Sequence, residues 1–214
     1  MPGEFQVAKE LRRLGNEAKV RAAMSEFACP VGIDFIDWMV LIGRGYLVQV
    51  GTEDAPTDTT PVDDTTAHIV VDIPTGVTVM LAEVSTHIVD FTTGTAAMTL
   101  VEMDNGKVRY SSGGTAFTLL NLNNAYSNAS GLAAYVGPDI TAAAKTAGGS
   151  LEVARWQVSN DAKATETADE QRNFLWSAKK NIWVIAEGPA SFVVYFGSAT
   201  ADVTGYAQAK VIVL

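Results

Sequence analysis

The chain has few of the side chains that carry most enzyme chemistry. Cys29 is its one cysteine, and His68 and His87 are its only histidines. A single cysteine excludes an intrachain disulfide, and its simplest interpretation is a small buried hydrophobic residue. The sequence contains no nucleophile motif, no phosphate-binding glycine loop and no H-x-H pair. The sequence therefore predicts that the chain is not an enzyme and has no cofactor.

Basic residues are outnumbered, with 15 lysines and arginines against 24 aspartates and glutamates. The formal charge of −9 repels phosphate, so direct nucleic-acid binding is predicted to be weak or absent. Five of the basic residues fall within the first 26 positions, where four glutamates nearly cancel them. This end of the chain is therefore a mixed-charge segment rather than a basic arm.

Long apolar runs are also missing. No stretch approaches the roughly 18 apolar residues of a membrane-spanning helix, so no transmembrane segment is predicted. The first residues, MPGEFQVAKELRRLG, lack the apolar core of a secretory signal. The expected place of synthesis is therefore the cytoplasm.

Residues 4–27 carry the one convincing helical pattern. Val7, Leu11, Leu14 and Ala18 recur at spacings of four, three and four residues, which places them on one helix face. Charged side chains fill the opposite face. Two interpretations remain open: the stripe packs on its own domain, or it docks on a neighbouring subunit. The second makes these four residues the predicted subunit interface.

From residue 36 onward the apolar period changes from about 3.6 to 2, which is the period of strands. Strands are predicted over residues 38–50, 67–73, 77–90, 96–103, 115–121, 150–158, 182–186, 191–197 and 206–213. Residues 122–149 are expected to form a long loop, with a short helix near 139–146. Because no long helices separate the strands, the pattern favours an all-β antiparallel sandwich or barrel.

The two histidines are the first candidates for a metal site. His68 begins one predicted strand and His87 lies near the end of the next, with Asp72, Glu83 and Asp90 nearby in sequence. A histidine–carboxylate site would form if the two strands paired. Ordinary strand histidines are the expected interpretation, and no metal site is predicted.

An acidic loop, residues 51–66, is the second candidate. It contains two prolines, no basic residue and five carboxylates, namely Glu53, Asp54, Asp58, Asp63 and Asp64. The loop lacks the D-x-D-x-D-G spacing of a calcium loop. A solvated loop is the expected interpretation, with weak calcium binding left as the alternative.

Four tryptophans, at positions 38, 156, 176 and 183, are spread along the chain. Tryptophans in strands pack between sheets, and they also form the stacking platforms of sugar-binding grooves. Core packing is the expected role.

Two segments resemble viral jelly-roll capsid proteins. The segment VVDIPTGVTVMLAEVSTHIVDF, residues 70–91, resembles the strand–Pro-x-Gly–strand segment of that family. Residues 180–214, KNIWVIAEGPASFVVYFGSATADVTGYAQAKVIVL, look like the family's closing strands and the exposed loop before the last one. The resemblance covers residues 36–214. It implies an antiparallel jelly-roll sandwich of about eight strands, preceded by an N-terminal helical arm, residues 1–35.

The resemblance implies a structural virion protein, a capsid protein of a bacterial or archaeal virus. Such a protein has no catalytic residues, and it self-assembles into the viral shell with copies of itself and other virion proteins. It would be made in the host cytoplasm and end in the virion. The absence of a basic arm departs from small single-stranded-genome viruses. It favours a shell around a membrane or a condensed genome, or an outer decoration layer. The alternative is a non-catalytic carbohydrate- or receptor-binding β-sandwich module of a phage fibre or surface assembly.

Overall fold

A computed structural model of the chain describes residues 34–59, 61–91, 96–159, 173–198 and 203–214. A division into two units falls between Trp38 and Met39. The predicted interface residues, Val7, Leu11, Leu14 and Ala18, lie outside the described residues, as does Cys29. The predicted helical arm, residues 1–35, therefore stays a prediction. No helix within the described part of the chain is long and apolar enough to cross a membrane.

A short helix, α1 (Phe35–Leu41), occupies the start of the predicted strand 38–50, so that prediction is wrong there. Asp34 caps the helix, because its Oδ1 accepts a backbone N–H of the first turn at 2.8 Å. At the other end, Gly43 and Arg44 donate to carbonyls of the last turn at 2.9 and 2.8 Å. These two bonds form a Schellman motif, whose left-handed position is taken by Gly43 at φ +75°.

Fourteen strands follow α1 within the described residues. They are β1 (Gly45–Val50), β2 (Thr57–Asp58), β3 (Thr66–Ile73), β4 (Thr78–Asp90), β5 (Ala96–Asn105), β6 (Tyr110–Ser112), β7 (Thr115–Ala116), β8 (Leu120–Asn121), β9 (Ala133–Ala142), β10 (Ser150–Ser159), β11 (Asn173–Ser177), β12 (Val184–Glu187), β13 (Ala190–Gly197) and β14 (Thr204–Val213). Strands β3, β4, β5, β10, β12, β13 and β14 match predicted strands to within two residues at each end. The predicted strand 115–121 is instead the two short strands β7 and β8.

The strands form two seven-stranded sheets, in which every strand pairing is antiparallel. Sheet I has the order β11-β4-β14-β1-β8, with β12 also paired to β4 and β2 to β14. Sheet II has the order β10-β5-β13-β3-β9-β6, with β7 also paired to β9. The predicted all-β antiparallel class is therefore confirmed.

The inner face of each sheet is lined by rows of buried side chains, because directly paired residues of neighbouring strands share a face. One row crosses four strands of sheet I and consists of Trp176, Val84, Ala209 and Val48. A matching row crosses three strands of sheet II and consists of Ile69, Val194 and Val101. The predicted core role of the tryptophans holds for Trp176, which is 7% exposed.

The outer face of sheet II carries a second apolar cluster. Alternation along β13 places Val193 and Tyr195 opposite to Phe192 and Val194. The buried members of the cluster are Ala67, Val70, Leu100, Ile140, Ala142, Val193 and Tyr195. Two of them, Ile140 and Ala142, belong to the insertion, residues 106–149, which folds back from the end of β5 over this face.

Strand β9 corrects the prediction of a loop with a short helix near 139–146. It pairs with β3 in two stretches, and the register shifts between Val136 and Ile140. Gly137, at φ +141°, and Pro138 lie inside this bulge. A bulge takes up residues that break a regular ladder, so the strand continues past a Gly-Pro pair.

Candidate functional site

The two histidines are not brought together. His68 is on β3 of sheet II and is fully buried, with its ring 4.5 Å from that of Phe196. Its Nδ1 accepts the Phe196 backbone N–H at 3.3 Å. Burial lowers the pKa of His68 to about 3, so the ring is neutral at physiological pH.

His87 lies on β4 of sheet I, with its side chain half-buried. Its ring stacks on Tyr206 at 5.0 Å, and its Nδ1 is hydrogen-bonded to Asn173 Oδ1. No group of three or more metal-ligating side chains forms among the residues that the structure describes. The expectation that both histidines are ordinary strand residues is in keeping with these positions.

The acidic loop presents all five of its carboxylate residues to solvent. Asp63 Oδ1 accepts both the backbone N–H and the hydroxyl of Thr65, each at 2.6 Å. These bonds lower the pKa of Asp63, so its carboxylate remains charged near neutral pH. The five carboxylates therefore form a negatively charged surface, and the structure does not gather three of them around one point.

The loop is nevertheless held firmly at its base. The Thr59 side chain is buried, and its backbone N–H and its hydroxyl both donate to Val203 O at 2.9 Å. Val62 N–H donates to Ser198 O at 2.8 Å. Strand β2 pairs with the first residues of β14. The acidic loop is therefore held both by β14 of sheet I and by Ser198, which follows β13 of sheet II.

A buried arginine that the sequence did not indicate ties the insertion to sheet II. The Arg109 side chain is fully buried, and its Nη1 donates to Asp104 Oδ2 at 3.3 Å. Its Nη2 donates to Tyr195 OH at 3.2 Å and to Asp64 O at 2.9 Å. Its Nε donates to Ala143 O at 2.6 Å. The guanidinium thus joins four separate segments of the chain.

The backbone of Arg109 docks on a row of polar side chains. Asp72, Ser191 and Asp104 are in register across β3, β13 and β5, so they share one face of sheet II. The Arg109 N–H donates to Ser191 Oγ at 2.8 Å and to Asp72 Oδ1 at 3.1 Å, and the Ser191 hydroxyl also bonds to Asp72. Tyr110 N–H donates to Asp72 Oδ2 at 3.4 Å.

Further polar contacts surround this cluster, although Glu102 Oε2, Asp104 Oδ1 and Thr146 Oγ1 are buried without a hydrogen-bond partner among the described residues. Lys145 Nζ pairs with Glu102 Oε1 at 2.7 Å, and Thr146 N–H donates to Asp104 Oδ2 at 2.9 Å. Burial raises the pKa of the Tyr195 phenol well above its ordinary value, so the hydroxyl keeps its proton and donates to Asp64 O at 3.1 Å. The cluster therefore anchors the insertion to sheet II, and Arg109 at its centre is inaccessible to solvent.

Exposed apolar side chains gather on the edge of sheet I. Leu175 lies on β11, Ile185 lies on β12, and Ile182 and Trp183 lie between the two strands. Their side chains are 59%, 47%, 87% and 47% exposed, respectively. We call these four residues the apolar strip. The sequence did not predict this strip, although two lysines and an asparagine, residues 179–181, directly precede Ile182 and mark a surface turn.

The edge strands of both sheets lie on the same side. Among the described strands, β11 and β12 pair only with β4, and β10 pairs only with β5. The rings of Trp156 on β10 and Phe174 on β11 are 6.1 Å apart, which brings the two edges together. Unpaired strand edges and exposed apolar side chains are both features of contact surfaces.

No family model, curated protein or solved structure matches this chain. A function for this chain therefore has to be inferred from the arrangement of its own residues.

Proposed function

We propose that this chain is a structural virion protein, a jelly-roll capsid subunit that assembles with copies of itself into a shell. The order of strand pairing carries the proposal. Eight of the eleven strands on the main paths of the two sheets carry this order, and along the chain they are β1, β3, β4, β5, β10, β11, β13 and β14.

The pairing order of these eight strands supports a jelly roll. The first pairs with the eighth, the second with the seventh, the third with the sixth and the fourth with the fifth. The eighth also pairs with the third, and the seventh with the fourth. This is the pattern expected when one long antiparallel ribbon folds over into two four-stranded sheets as a double Greek key. Strand β12 continues the line of the sixth strand along β4.

The chemistry of the described residues favours a shell over the other uses of the fold. Jelly rolls also serve as lectins and as metal enzymes, so the fold alone does not decide the function. Here His68 and His87 lie on different sheets, and Arg109 is inaccessible. What the described residues do offer is an apolar edge at which β11 and β12 each pair with β4 alone, which is the kind of surface that joins subunits.

The charge of the chain bears on its partners and its place in the particle. The formal charge of −9 disfavours direct contact with the genome. The proposed partners are therefore copies of this chain and other virion proteins, and the proposed location is the virion after synthesis in the host cytoplasm. Residues 1–35 are proposed to act as an arm that docks on a neighbouring subunit through Val7, Leu11, Leu14 and Ala18.

Electron microscopy and sedimentation velocity of the purified full-length protein test this proposal. We expect shells, capsomers or other regular oligomers that grow with protein concentration. A monomer at all concentrations would overturn it. Deleting residues 1–27 tests the arm: we expect assembly to be lost while the far-ultraviolet circular dichroism spectrum of the β-sheets is kept. Loss of the sheet spectrum would show instead that the segment is part of the core.

A binding module of a fibre or surface assembly is the second candidate, and the exposed ring of Trp183 favours it. An exposed aromatic side chain beside apolar neighbours can stack on a sugar ring. Glycan-array binding of the full-length protein and of Trp183→Ala separates the two candidates. Binding that depends on Trp183, in a protein that forms only a small fixed oligomer, would support the module and contradict the shell.

A further inference from the structure

We propose that the apolar strip of one copy docks on the acidic loop of a second copy. This inference rests on the proposed function and names the surfaces through which the subunits meet. It follows from three observations: the exposure of the strip, the positive charge beside it, and the complementary composition of the loop.

The strip has the size and composition of a contact surface. Leu175 pairs in register with Ser85 and Ile185 with Met80, so the strip extends over five residues of β4, or about 16 Å. Ile182 is 87% exposed, and a side chain this exposed contributes little to the stability of its own fold. Apolar side chains clustered at a sheet edge are typical of protein–protein contacts.

Positive charge flanks the strip. Lys179 and Lys180 directly precede Asn181 and Ile182, and both lysines are exposed. They are the only two adjacent basic residues in the described part of the chain.

The acidic loop is the complementary surface. Its described residues carry five exposed carboxylates and no basic side chain, and Ala55, Pro56 and Pro61 are exposed among them. The carboxylates match the two lysines, and the apolar residues offer Ile182 and Trp183 a surface to pack on. Because the loop is held at its base by Thr59, docking would not have to order it first.

The contact must join two copies. Trp183 lies at the level of residue 82 along β4. The last residue of β11 pairs with Glu83, and the first residue of β12, directly after Trp183, pairs with Leu81. The loop lies level with Asp90, since Asp58 and Asp90 both pair with Thr204. Eight residues of strand separate the two levels, which is about 26 Å. A contact between two different surfaces can repeat from copy to copy, and it closes only as a ring or a shell.

A charge exchange tests the contact. The variant Lys179→Glu/Lys180→Glu should raise the protein concentration needed for assembly by about tenfold or more, because like charges then face each other. The variant Glu53→Lys/Asp54→Lys/Asp58→Lys should do the same, because the loop then carries three lysines against two carboxylates. A mixture of the two variants should assemble again, because each strip then meets a loop of opposite charge.

The control is Arg44→Glu/Lys107→Glu, which changes the net charge as Lys179→Glu/Lys180→Glu does, but away from the strip and the loop. It should assemble like the unmodified chain, and circular dichroism melting should show that all variants remain folded. Ile182→Ser should weaken assembly without lowering the melting temperature.

The outcomes separate this inference from the proposed function. If the unmodified chain is always a monomer, both fail. If the unmodified chain assembles and either charge variant assembles equally well, the inference alone is overturned. Failure of the mixed variants to assemble, or an equal defect in the control, overturns it as well. Assembly that is lost only on deletion of residues 1–27 assigns the contact to the arm instead.

Discussion

Thr86 and Thr99 join the two sheets through a hydrogen bond between their hydroxyl oxygens, 2.6 Å apart. Thr86 lies on β4 of sheet I and Thr99 on β5 of sheet II, and both side chains are buried. Each hydroxyl is the hydrogen-bond partner of the other within an otherwise apolar interior. A buried pair of this kind disfavours any relative position of the sheets that would leave both groups unpaired.

Replacing one partner should cost more than replacing both. Thr86→Val or Thr99→Val leaves one buried hydroxyl without its partner, so each should lower the free energy of unfolding by about 1–3 kcal/mol. The double variant should lose less than the sum of the two. Urea unfolding of the four proteins in a double-mutant cycle measures the coupling, and additive losses would contradict the proposed pairing. Thr141→Val, at an exposed position of β9, is the control.

Arg109→Met should destabilise the fold by about 3–5 kcal/mol, because it leaves buried carboxylate and carbonyl groups without their donor. The insertion should then become sensitive to trypsin at Lys145, since its anchor to sheet II is gone. Urea unfolding and limited proteolysis with mass spectrometry measure the two effects. The matched control is Arg155→Met, which removes an ion pair with Glu152 that is exposed to solvent and should therefore change the stability little. Equal losses in both variants would contradict the anchoring role.

His68 should make the fold sensitive to acid. The unfolded chain takes up a proton near pH 6.5, whereas burial holds the pKa of the folded His68 at about 3. The unfolded state therefore binds more protons within this window, and stability falls as the pH is lowered through it. One group contributes a slope of at most about 1.4 kcal/mol per pH unit.

The test of this slope is His68→Gln, which keeps an acceptor but cannot titrate. The variant should be less stable at pH 7, and its free energy of unfolding should fall less steeply between pH 6.5 and pH 4. A slope unchanged from the unmodified chain would show that other groups cause the acid sensitivity.

Gly43→Ala should be more damaging than Gly76→Ala, although both glycines have a positive φ, of +75° and +83°. The left-handed conformation costs a non-glycine residue about 1–2 kcal/mol at either position. A Cβ at position 43 would also lie within 2.9 Å of three side-chain atoms of Tyr126, whereas position 76 has no atom within 4 Å. Thermal unfolding of the two variants measures the difference, and equal melting temperatures would contradict the clash.

The sequence predicted the strands best where alternation was long and uninterrupted. Strand β4 and the closing strand β14 are examples, since side chains on their inner faces recur at every second position. The strand prediction failed at α1, because the apolar run of five residues at positions 38–42 fits a buried strand as well as a helix. The cap at Asp34 and the glycine at position 43 were the available signals for a helix.

Strand β9 and the apolar strip could not have been found in this way. Gly137 and Pro138 argue locally against a strand, and only the bulged pairing with β3 accommodates them. Ile182 and Trp183 continue into β12 with an ordinary strand pattern. Their exposure depends on β12 being an edge strand, and a local pattern does not reveal which strands lie at edges.

The order of residues alone set the predominance of strands, the acidic surface and the scarcity of reactive side chains, because each of these is a property of neighbouring residues or of composition. The tertiary structure decided which strands pair, where the sheets end and that Arg109 is buried. The reason is physical: an alternating strand can bury its apolar face against many partners. The choice among them depends on the packing and hydrogen bonding of segments far apart in the chain, such as Asp72, Arg109 and Ser191.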